Sequence, residues 1–114
     1  MDPPMSNALP LLRAVRARLA DEARWTKGDY SRDANGIGHW ATYPEAVCWC
    51  IAGARDVAVN DGSRDASRHD AFAQSLGFAN GQELIDWNDA PDRTHADIIA
   101  RLDEAIEREE NHGN

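Results

Sequence analysis

The chain has 114 residues, 42% hydrophobic and 28% charged, with 20 acidic against 12 basic side chains and a net charge of −8. This length suits one domain with one core, and the composition excludes a disordered chain. The charge argues against direct binding to a nucleic-acid backbone, which needs clustered Lys and Arg. It is compatible with a basic protein partner or with mimicry of nucleic-acid charge, although an acidic surface that keeps a small protein in solution is the simpler reading. No stretch approaches the ~20 apolar residues of a membrane span, and the start, MDPPMSNALP, lacks the pattern of a signal peptide. A cytoplasmic protein with reduced thiols is the expectation.

Taken in chain order, residues 1–5 read as a Pro-rich tail and residues 6–110 as one helical domain, with 111–114 a second tail. Ser6 or Asn7 can cap a first helix whose Leu9, Leu12, Val15 and Leu19 form one apolar stripe. Residues 25–43 hold Trp25, Tyr30, Trp40 and Tyr43 among glycine punctuation, with the turn pair Asn35-Gly36. They predict a long ordered loop or a small hairpin, pinned by its aromatic side chains.

The stretch Pro44–Val59, PEAVCWCIAGARDVAV, predicts a buried central helix. Pro44 fits the first helical position and Glu45 the positive end of the dipole. Val47, Cys50, Ile51, Ala54 and Ala58 then share a face, and Gly53-Ala54 lets a neighbouring element come close. A further helix follows to Leu76, with His69, Phe72 and Ala73 inward and Gly77 as a left-handed cap. Asn80 to Glu83 opens a short helix that Asn88-Asp89-Ala90-Pro91 breaks. Thr94 caps a last helix with Ile98, Leu102, Ala105 and Ile106 buried, supported by Asp97–Arg101 and Glu104–Arg108 pairs. The expected fold is therefore all-α, a compact four-helix bundle-like domain around the central helix.

Four constellations bear on function. Cys48 and Cys50 stand two apart, which on a helix separates them by about 200°, so they neither share a metal nor pair. No metal or other cofactor is expected. Cys48, near a helix start, is the candidate nucleophile, with His39, His69 or His95 as base and Asn88 or Asp89 to orient it; both thiols as plain core side chains is the simpler expectation. Ser31, Asp33, Asn35 and Gly36 echo a calcium loop, but Thr42 stands where the bidentate Glu belongs. Asn88, Asp89, Arg93 and His95 form a polar cluster that either caps helices or, together with Tyr30 and Asp33 from the loop, binds a ligand.

Trp25 with Gly28-Asp29-Tyr30, Ala46 to Ala54, Trp87 to Pro91 with Arg93-Thr94, and Leu102 to Ile106 form an ordered set. It resembles a family of small proteins known only as a domain of unknown function, found in GC-rich bacteria and their phages, and the likeness runs from Trp25 to Ile106. The resemblance implies no activity. It implies that Trp49, Cys50, Gly53, Asn88, Asp89 and Thr94 belong to a shared framework, while Cys48 falls outside its pattern. Together with size and charge, it points to a non-enzymatic interaction module, an accessory protein of a phage or mobile element acting on a host protein. A small enzyme using Cys48, or a ligand site at Asp89–His95, is the alternative.

Overall fold

The apolar stripes of the sequence converge on one core. Leu12, Val15, Leu19, Ile51, Leu76, Leu84, Ile98 and Leu102 are all fully buried in it. The structure, a computed structural model, describes residues 8–61 and 65–112; the expected caps Ser6 and Asn7, the tail at 1–5 and residues 113–114 of the second tail lie outside them.

Among the described residues five α-helices and a small antiparallel sheet are formed, and 58% of those residues are helical. The helices are α1 (Ala8–Arg18), α2 (Ile51–Val59), α3 (Asp70–Ser75), α4 (Gly81–Asp89) and α5 (His95–His112). The strands are β1 (Ser31–Arg32), β2 (Gly38–His39) and β3 (Cys48–Trp49), in the order β2-β1-β3. The expected all-α class is corrected accordingly: the fold is mainly helical with a three-stranded sheet. α1 packs between α5 and α2, α2 rests on α4, and α4 on α3. None of the described helices is long and apolar enough to cross a membrane.

The segment at 25–43 forms the hairpin, Ser31 pairing with His39 and Arg32 with Gly38. Its turn differs from the mirror-image type expected for Asn-Gly. Only Gly36 has positive φ, +81°, and Asp33 Oδ1 accepts from the N–H groups of Asn35 and Ile37 to close the loop.

The larger correction concerns the central helix, which begins at Ile51 and not at Pro44. Arg32 C=O accepts from Val47 N–H at 2.8 Å and Tyr30 C=O accepts from Cys50 N–H at 3.3 Å. β1 therefore captures residues 47–50 as a third strand, and a short apolar run is compatible with either state until a partner strand is present. Val47, expected inside, is 47% exposed. The predicted close approach does occur. A Cβ on Gly53 would lie 2.0 Å from the Tyr30 carbonyl oxygen, so the first turn of α2 sits against the chain just ahead of β1.

Capping follows the sequence more closely. Gly77 at φ +95° ends α3, with Phe78 N–H reaching back to Ala73 C=O. Asn80 Oδ1 accepts from Glu83 N–H. Thr94 and Asp97 exchange reciprocal bonds, Asp97 N–H to Thr94 Oγ1 and Thr94 N–H to Asp97 Oδ2. The expected Asp97–Arg101 and Glu104–Arg108 pairs are not the bonds these arginines make. Arg101 donates to Leu76 C=O and Arg108 to Ser75 C=O, so both serve the carbonyls left over at the end of α3. α5 also continues through residues 111–112, where a tail was expected.

Gly53→Ala is predicted to destabilise the fold by at least about 2 kcal/mol in urea denaturation, because the contacted atom is backbone and must move with β1.

Candidate functional site

α4 shows two faces. Gly81, Leu84 and Asn88 turn inward and are buried. Gln82, Ile85 and Asp89, at the same helical spacing one position on, line a groove of about 880 Å³. The opposite wall is β2 and its continuation through Trp40 and Thr42, with Asp29 and Tyr30 beside it. Gly28, Cys50, Asp56, Asp61 and Arg68 complete the lining.

Asn88 fixes this geometry from inside. Its Oδ1 accepts from Trp25 Nε1–H at 2.9 Å and Ile51 N–H at 3.0 Å. Its Nδ2 donates to Thr26 C=O and to Asp89 Oδ1. Both lone pairs and both protons are used, so the residue is a structural joint between α4, the hairpin arm and α2. Asp89 Oδ1 also accepts from Gly28 N–H at 3.0 Å, which draws the chain before β1 onto the end of α4.

Asp56 is the buried charge centre at the back of the groove. It is 1% exposed, and Oδ1 accepts from His69 Nε2–H at 2.9 Å and from Arg55 Nη1–H at 2.9 Å. Oδ2 accepts from Arg68 Nη2–H at 2.7 Å. Burial pushes its carboxyl up, but the bonds from His69 and Arg68 outweigh burial and hold it below its ordinary 3.8. Tyr30 lies over this cluster, 5.7 Å from the His69 ring and 5.3 Å from the Arg68 guanidinium. Burial, first, raises the Tyr30 phenol above its ordinary value, with Arg68 opposing.

The residues expected to carry chemistry are dispersed. Cys48 is in β3 and His39 in β2, with β1 between them, so two strand spacings, roughly 9–10 Å, separate them. His39 is also held by Asp33 Oδ2 at 2.9 Å and stacked on Tyr43 at 3.6 Å. His95 Nε2–H donates to Leu19 C=O and His69 is fully buried, so neither stands ready as a base. Cys50 is the N-cap of α2, its Sγ accepting from Gly53 N–H at 3.3 Å. Burial pushes its thiol up to about 12. The earlier placement of Cys48 in a helical turn is corrected with the helix start.

Of the candidate binding residues, Tyr30 and Asp89 share the groove, together with His39, which was a candidate base. Arg93 is committed to Trp87, donating to its C=O at 2.7 Å and lying over its ring at 4.3 Å. Asp33 is spent on its own turn and on His39; the His39 bond, then the Ile37 and Asn35 N–H bonds, hold its carboxyl low. That leaves the calcium-loop pattern as turn chemistry. Among the described residues, no group of three or more His, Cys, Asp or Glu is placed to hold a metal. Trp40, Asp29, Asp56, Arg68 and Ile85 were not candidate site residues from sequence. Trp40 was expected to pin the loop and is instead largely exposed, and Asp56 carried a signal as an acid inside an apolar run.

The chain belongs to DUF6197, a family of unknown function, whose model matches residues 3–108. No curated protein and no solved structure matches it.

Asp56→Ala is predicted to cost about 3–5 kcal/mol, since it strands Arg55, Arg68 and His69 without their carboxylate. A carboxyl held low contributes stability above its ordinary 3.8, and the contribution is lost as pH falls through the lower folded-state value. The gap in urea midpoint between wild type and variant should be constant near neutrality and narrow below pH 3.8. Thiol titration is the second test: Cys50 should react only on unfolding, and fast reaction of Cys50 in the native protein would contradict its capping role.

Proposed function

We propose that this DUF6197 member is a non-enzymatic module that binds a partner protein, with the groove between the hairpin and α4 as its recognition site. The observation that carries this reading is Trp40, which is 57% exposed at the groove wall, with Ile37 at 56% just ahead of β2. Large apolar side chains left in water beside a concave surface are typical of binding sites, and Trp is the commonest anchor of interface energy. Trp40 is not loosely held. Its ring stands edgewise to His39 and Tyr43 at 6.2 and 5.5 Å, so it meets a partner already ordered.

The remaining lining groups support binding better than catalysis. The groove thiol is Cys50, whose sulfur is spent on a cap. Its histidine is His39, bound to Asp33. Both groups are thus engaged with the fold and not with each other in any hydrogen bond among the described residues. The net charge of −8 favours a partner with basic character.

Tagged wild-type protein and Trp40→Ala, expressed in the native host, separate the outcomes. A partner identified by mass spectrometry with wild type should be lost with Trp40→Ala at unchanged Tm. Undiminished capture by the variant would place recognition elsewhere on the molecule.

A further inference from the structure

The charged groups of the groove are not equally satisfied. Its lining holds four carboxylates, Asp29, Asp56, Asp61 and Asp89, against one guanidinium, Arg68. Asp29 is paired with Arg32 at 2.9 Å, Asp56 with Arg55 and Arg68, and Asp61 with Arg55 at 3.2 Å. Asp89 has no ion pair among the described residues, and the neighbouring amine of Lys27 is committed to Ala90 C=O and Pro91 C=O. Both donors that Asp89 receives, Gly28 N–H and Asn88 Nδ2–H, go to Oδ1. They orient the carboxylate without neutralising it, and Oδ2 takes no hydrogen bond from the described residues.

We infer that the groove receives a Lys or Arg side chain carried on a segment of the partner polypeptide, with Asp89 as its counter-ion and the Trp40 wall beside it. The inference rests on the groove being the recognition site. A preoriented carboxylate pairs with an ammonium or guanidinium without first having to be ordered, and a charge-assisted bond of this kind is about twice as strong as a neutral one. An aromatic wall adds attraction for the same cation. An acidic side chain would be repelled by the Asp89 carboxylate, so the groove also discriminates by sign.

The test uses a phage-displayed random heptapeptide library selected on the full chain, followed by fluorescence anisotropy with the selected peptides. Asp89→Asn keeps an oxygen to accept from Gly28 and Asn88 while removing the charge, so the fold is retained. The expected result is that selected peptides share a Lys or Arg, bind at least tenfold more weakly to Asp89→Asn and to Trp40→Ala, and bind unchanged to Glu104→Gln on the exposed face of α5. Added salt should weaken wild-type binding more than Asp89→Asn binding. Peptides that depend on Trp40 but not on Asp89 would overturn the cation assignment and leave the groove reading standing. If no selected peptide depends on Trp40, both fall. Butylguanidinium binding as tightly as the peptides would overturn the assignment to a polypeptide.

Discussion

The amino end of α2 is the constraint on which the other elements depend. A helix start leaves four N–H groups without helical partners, and this one is deeply buried, with Ile51, Ala52 and Gly53 all inside. Two of those groups are met by side chains, Ile51 N–H by Asn88 Oδ1 and Gly53 N–H by Cys50 Sγ. The first bond brings α4 to α2; the second fixes a thiol as a cap where Ser, Thr, Asp or Asn is usual. Because Gly53 has no side chain, the Tyr30 carbonyl comes to van der Waals distance of the helix. The strand that follows Tyr30 then captures residues 47–50. Cap, close approach and sheet are thus one interlocked arrangement, and the groove is the space left beside it.

The same arrangement explains why a cluster rich in ionisable groups is structural. Asp56, His69, Arg55 and Arg68 would suggest catalysis by residue type alone. Their geometry turns them on one another: one carboxylate takes bonds from three cationic or imidazole neighbours, and two of its members are essentially out of water, with Arg55 Nε and His69 Nδ1 the buried atoms of the cluster left without a bond among the described residues. A buried charge is tolerable only when fully paired. The cluster ties α2 to the turn at Ala66–His69 across 13 positions of chain, and it gives the back of the groove a fixed shape.

The parts of the fold that were legible in the sequence are those decided locally. α1 and α5 follow from apolar periodicity, and the boundaries at Gly77, Asn80 and Thr94 from capping chemistry within four residues. The start of α2 was not legible, because Pro44 to Cys50 satisfies helical rules as well as extended ones, and the deciding bonds come from Tyr30 and Arg32. The Arg101 and Arg108 bonds to α3 were hidden for the same reason, since sequence offers only their i−4 neighbours. Within the site, Asp89 was visible as part of a dense polar run. Trp40 was visible only as one aromatic among several, as its exposure depends on which face of the hairpin meets the helices.

Asn88 and Asp89 show how a framework and a groove wall can share one short motif. They are consecutive on α4, so about 100° of helix rotation sends one inward and leaves the other at the groove. Asn88 is fully used by the fold, yet one of its amide protons goes to Asp89. The carboxylate is therefore oriented by the same side chain that caps α2. A change at Asn88 would alter the groove through Asp89 even where the core accommodated it, whereas a change of Asp89 to a residue that still accepts from Gly28 touches the groove alone. Residues that hold the framework accordingly need not be residues that line the groove, and the distinction falls between two adjacent positions.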